Sequence, residues 1–141
     1  MTLTITDTVT LANGVRMPLF GLGTYKTAEG AEVETAVDAA LRAGYRSIDT
    51  ASLYANEEGV GRALARSGID RDRLFVTTKV WNDEQGLEGT LAACHHSLER
   101  LALSYVDLYL VHWPIPRFME GTWRALEELL VQLHGSRLRP H

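Results

Sequence analysis

The chain has a single cysteine, Cys94, in 141 residues. No internal disulfide can hold it, and a reducing compartment is the default expectation. It has no basic excess. Lys and Arg number 14 against 18 Asp and Glu, for a formal net charge of -4, so the electrostatic footprint of a nucleic-acid binder is missing. No apolar run approaches the roughly 20 residues of a membrane span. The start, MTLTITDTVT, has neither the basic residues nor the apolar core of a secretory signal. A cytoplasmic protein is expected. There is no GxxxxGKS or GxxxxGKT phosphate loop. Gly21-Leu22-Gly23 opens a GxG pattern, but Lys26 stands where the dinucleotide fingerprint needs its third glycine. Cys94, His95 and His96 adjoin, but adjacent helical residues point in different directions, so no metal site is expected. What remains, at 45% hydrophobic and 23% charged residues, has the composition of one soluble globular domain.

Val9 to Met17 reads as a hairpin around Asn13-Gly14, with Pro18 ending the pairing or marking an edge. From Leu19 the chain alternates strand and helix. LFGLGT, YRSIDTA, LFVTTKV and VDLYLVHW are the strand candidates. Helical stripes lie between and after them. These are Val33, Val37 and Leu41; Val60, Ala63 and Leu64; Leu87, Leu91, Cys94, Leu98 and Leu101; and Trp123, Leu126, Leu130 and Leu133. Gly44 and Gly68 are helix stops. The repeat of roughly 30 residues is that of strand-helix units feeding a parallel sheet. Such a sheet is either open and doubly wound or closed into a barrel, and periodicity alone does not choose.

Polar groups at the strand ends favour the barrel. Asp49 ends the second strand and Tyr54 follows it. Lys79 ends the third and His112 the fourth. In a parallel barrel those ends share one rim, where the chemistry of such enzymes is held. A phenol is a poor proton donor near neutrality unless a cation sits by its oxygen. Lys79 is the candidate cation, Asp49 its counter-ion, and His112 a hydrogen-bond donor to a substrate oxygen. Together they would protonate a carbonyl oxygen gaining negative charge, an effect worth about 10²- to 10⁴-fold. No side chain supplies hydride, so an organic cofactor must. Each residue alone has a plainer reading: Tyr54 as packing, Asp49 as a cap, Lys79 as a solvated strand end, His112 as a core histidine. Glu57 and Glu58 read as acidic residues suited to a helix N-terminus, and Cys94 as core.

The segment GYRSIDTASLYANEEGVG from Gly44 to Gly61 resembles the first signature of the aldo-keto reductase family. NGVRMPLFGLGTYK, TTKVW and SLERLALSYVDLYLVHWP are similar to its hairpin and first strand, its lysine strand, and its fourth strand with the preceding helix. The flavour is that of bacterial reductases similar to diketogluconate reductase. The resemblance covers roughly residues 8 to 130 and implies an α/β fold, the (β/α)8 TIM barrel, with about the first four strand-helix units after an N-terminal β-hairpin. It implies NADPH-dependent reduction of aldehydes and ketones, with Asp49, Tyr54, Lys79 and His112 as the catalytic tetrad. Gly23, Thr24, Tyr25 and Asp49 would bind the cofactor. Tyr25, Trp81, His112 and Trp113 would line the substrate pocket. No metal, membrane or nucleic acid is implied, and the full-length form would be a monomer.

The sequence departs from that family in extent. Its second signature, ending in Gly-x-Ser-Asn, is missing, as are the later strands that grip the cofactor. Residues 1–130 read as the N-terminal half of a reductase barrel. VQLHGSRLRPH, residues 131–141, reads as an aberrant tail from a frameshift, premature stop or faulty gene prediction, against the alternative of a natural tail on a shortened protein. Inactivity of this truncated form is therefore expected. The rival readings are a non-catalytic fragment, a self-associating half barrel, and a cofactor-binding regulatory subunit.

Overall fold

A computed structural model describes residues 2–137, with side chains to residue 133. The expected tail lies in part outside the described residues. Helix α4 runs through its first seven positions, to Arg137.

Strands β1 (Thr8–Thr10) and β2 (Arg16–Pro18) pair antiparallel, Thr8 opposite Pro18. Their connection is longer than a two-residue turn. Gly14 N donates to Leu11 O and Leu11 N to Val15 O, both at 2.8 Å, and Gly14 takes the left-handed φ of 82° that closes a three-residue loop.

The second sheet is parallel and runs in chain order: β3 (Gly21–Gly23), β4 (Ser47–Asp49), β5 (Phe75–Val80) and β6 (Leu108–Val111). Helices α1 (Ala31–Arg42), α2 (Glu57–Arg66), α3 (Leu87–Leu101) and α4 (Met119–Arg137) alternate with the strands, and each packs on the next. A doubly wound sheet reverses its strand order at a switch point. This one does not, and its helices follow one another along one face. It is the first half of the expected barrel, preceded by the expected hairpin.

Alternation sorts each strand. Ile48, Val76 and Val60 are fully buried with Val33, Val37, Leu64 and Leu101 between sheet and helices. Fully burying one such side chain contributes about 1.5–3 kcal/mol. The opposite parity, carrying Asp49, Lys79 and then His112, faces the barrel interior.

One helix differs from its sequence reading. The stripe expected on α4 was Trp123, Leu126, Leu130 and Leu133, yet Trp123 and Leu130 are 58% and 56% exposed. The buried line is Thr122, Ala125 and Leu129. The cause is a close approach to the start of α3. A Cβ on Gly121 would lie 2.9 Å from Leu87 N, and the Thr122 hydroxyl accepts from Gly86 N at 2.9 Å. Only small residues fit there, and small residues give no hydrophobic signal.

Candidate active site

Three strand ends converge. Asp49 is the last residue of β4, in register with Thr77 of β5. Lys79 lies two residues further on, with the same facing, so its side chain reaches diagonally back. Its Nζ donates to Asp49 Oδ1 at 2.5 Å, to Thr50 O at 2.8 Å and to Tyr54 Oη at 3.4 Å. Tyr54 ends a short 3-10 turn, Ser52–Tyr54, closed by Ala55 at a left-handed φ of 53°. That conformation costs a residue with a Cβ roughly 1–2 kcal/mol, so the surrounding contacts hold this turn in place.

His112 follows β6 and stays in the ladder, its N donating to Val80 O at 3.1 Å. Its ring is edge-on to Tyr54 at 5.6 Å and to Trp81 at 5.0 Å between centroids. Burial first, and the nearby Lys79 ammonium second, hold its imidazolium below the usual histidine range, partly offset by Asp49. A neutral imidazole near pH 7 follows. His112 Nδ1 is buried without a hydrogen-bond partner among the described residues.

The expected ligand-facing residues divide. Tyr25 is 61% exposed, and its ring lies 5.1 Å from that of Tyr54. Trp113 is equally open, and Trp81 half-buried beside His112. A Cβ on Gly23 would meet nothing within 4 Å, so space is open at the end of β3. Thr24 is different. It is 1% exposed, and its hydroxyl is engaged with Thr50 and Asn56 while its N donates to Asp49 O. In this structure it offers a ligand no free polar atom and acts as an anchor for its neighbours.

Two buried polar residues have roles that the sequence did not suggest. Asn56 is fully buried, and its amide donates to Thr24 O and Thr27 O at 2.9 Å. Its position before Glu57-Glu58 suggests a helix cap, yet its side chain makes no cap bond. Glu57, expected at the helix dipole, is 1% exposed. It accepts from Thr78 Oγ1 at 2.5 Å, Ser97 Oγ at 3.2 Å and Arg100 Nε at 2.7 Å. Cys94 is buried in the core, where burial pushes its thiol up to about 11, so it is no nucleophile. His95 and His96 beside it are exposed.

Residues 19–132 match the model of the Aldo/keto reductase family. The chain belongs to that family. It is 57% identical over 129 residues to the glyoxal reductase of Bacillus subtilis, covering 92% of this chain and 47% of that protein. It superposes on an aldo/keto reductase from Brucella melitensis with a TM-score of 0.86 at 48% identity, covering 90% of this chain and 50% of that one. A Bombyx mori aldo-keto reductase solved in complex with NADP gives 0.83 at 34% identity, with 92% and 48% covered. The chain thus spans about half the length of the relatives it matches, the N-terminal half. No helix among the described residues is long and apolar enough to cross a membrane.

Proposed function

We propose that a protein carrying this chain reduces aldehydes or ketones to alcohols, with NADPH as the hydride source and Tyr54 as the proton donor. One observation carries the proposal: a lysine ammonium held between the Asp49 carboxylate and the Tyr54 hydroxyl, with the His112 ring edge-on to the phenol. The cofactor supplies the hydride that the carbonyl carbon takes up. The residues present fit the reacting end of such a group. Gly23, Tyr25 and Asp49 border open space beside Tyr54, and Thr24 anchors that border.

In this reading Tyr54 gives its proton to the carbonyl oxygen as that oxygen gains charge. The phenolate left behind faces Lys79, whose charge Asp49 holds in place. His112, neutral, donates a hydrogen bond to the same oxygen and orients it. Tyr25, Trp81 and Trp113 surround the substrate with aromatic faces and exclude water. The 57% identity to a glyoxal reductase favours small aldehydes such as glyoxal as the substrate class.

For the 141 residues alone we propose inactivity and self-association, with residues 1–130 as the family's barrel half and the sequence after Leu130 departing from the family pattern while helix α4 continues to Arg137. The outer edge of β6 pairs with no strand among the described residues. On and beside it Leu110, Trp113, Trp123 and Leu130 are exposed. Exposed apolar edges of this kind template association. Light scattering after size-exclusion chromatography tests this; a sharp monomer peak contradicts it.

The reductase reading is tested by joining these residues to the C-terminal half of the Bacillus subtilis glyoxal reductase and following NADPH consumption with glyoxal. Turnover that Lys79→Met strongly lowers is expected. NADPH binding with no turnover on any aldehyde tested would instead favour a cofactor-binding regulatory role.

A further inference from the structure

We propose that Glu84 and Gln85, on the loop after β5, are positioning residues that together set the spacing of Tyr54 and His112 across the strand that carries Lys79. The two side chains leave the same loop in opposite directions. Glu84 reaches back to the preceding strand end. Its Oε2 accepts from Ser52 Oγ at 2.8 Å and from Trp81 N at 3.3 Å. Ser52 opens the turn that presents Tyr54, and its hydroxyl also lies 3.2 Å from Lys79 O. Gln85 reaches forward. It is 7% exposed, and its Nε2 donates to Trp113 O at 2.7 Å, one residue past His112. A carbonyl only accepts, so the orientation of this amide is fixed by its partner.

The consequence is a continuous brace from the Tyr54 turn, through the end of β5, to the residue after His112. The rim of a barrel is made of separate loops, and each loop moves independently unless bonded to its neighbour. Here the left-handed Ala55 makes the Tyr54 turn costly to hold. Among the described residues the β6 end has a bonded strand on one side only. Both flanking groups therefore depend on the middle loop for their place.

The two bonds differ in what they require. Glu84 acts as an acceptor, which a glutamine oxygen can replace. Gln85 acts as a donor, which neither glutamate nor methionine can replace. A residue that merely fills space would tolerate both isosteric exchanges alike. This inference rests on the roles proposed above for Tyr54 and His112, but its first readout is independent of turnover.

The experiment uses the full chain with labelled tyrosine and histidine and measures the nuclear Overhauser contact between the Tyr54 and His112 rings. The contact is expected in the unsubstituted chain and in Glu84→Gln, and lost in Glu84→Ala, Gln85→Glu and the uncharged Gln85→Met. Amide spectra identify any variant that has lost its fold, and Gln85→Met guards against a folding failure caused by burying the charge of Gln85→Glu. In the joined reductase the variants that lose the contact should lose about 10²-fold in kcat, as a misplacement of about 1 Å does, with a smaller change in KM. Equal behaviour of Glu84→Gln and Gln85→Met, or no contact in the unsubstituted chain, overturns the proposal. If the contacts follow the expected pattern while no form turns over, the brace stands and the reductase reading fails.

Discussion

Strands β5 and β6 lie side by side in parallel register, and the more apolar of the two is the more exposed. β5 reads FVTTKV and five of its six residues are buried; β6 reads LYLV and none is. The difference lies in their neighbours. β5 has strands on both sides, α2 and α3 behind it, and Glu57 bonded to its Thr78. β6 has one bonded neighbour among the described residues, and an apolar groove of about 560 Å3 opens between it and α4. Burial is thus decided by what packs around a strand rather than by its own composition. The site shares this asymmetry: Asp49, Tyr54 and Lys79 hang from the well-covered side and His112 from the open one.

Replacing one apolar residue on each side tests the contrast most strongly. Ile48→Ala on β4, at full burial, should cost about 2–5 kcal/mol in urea denaturation. Leu110→Ala on β6, 37% exposed, should cost about 1 kcal/mol or less. Equal losses would mean that β6 is as well packed as β4 in solution. Glycines carry the contrast between covered and open positions to α2 and β3, with a smaller effect. A Cβ on Gly61 would sit 2.4 Å from Leu101 O, against the backbone at the end of α3, on which α2 packs. Gly61→Ala should cost about 1–3 kcal/mol. Gly23→Ala, with nothing within 4 Å, should stay within about 0.5 kcal/mol.

The smallest effect concerns pH. His112 is held below its ordinary value by burial and Lys79, so the unfolded chain binds its proton more readily than the folded one. Stability from this group is present above the unfolded value of about 6.5 and is lost as pH falls through the lower folded value. His112→Gln should therefore flatten part of the stability decline between pH 7.5 and pH 5. An unchanged slope would place the imidazole in an environment like water.

The sequence made the architecture legible where hydrophobic period and turn glycines carry it: four strands, four helices and the hairpin. Asp49, Lys79 and His112 were legible as polar interruptions at corresponding strand ends, and the family signature linked Tyr54 to them. Two kinds of feature were not legible. The packing of α4 uses Thr122, Ala125 and the small Gly121, which leave no mark in an apolar stripe. The polar braces join residues far apart in the chain. Ser52 meets Glu84, Asn56 meets Thr24, and Glu57 meets Arg100, across separations of 32, 32 and 43 residues. No local pattern encodes such a partner. Thr24 adds a role that no local pattern carries: the family pattern sets it beside the cofactor, and the structure also bonds its buried hydroxyl to Thr50.

The central claim is that Tyr54 is the proton donor, held by Lys79 and Asp49. Its most direct test is the single-turnover rate of glyoxal reduction by the joined reductase and its Tyr54→Phe variant, with NADPH binding measured in parallel by fluorescence. The account expects the rate to fall by about 10²- to 10⁴-fold while NADPH affinity changes little. A Tyr54→Phe variant keeping more than about a tenth of the rate, against the 10²-fold minimum of such catalysis, would contradict it.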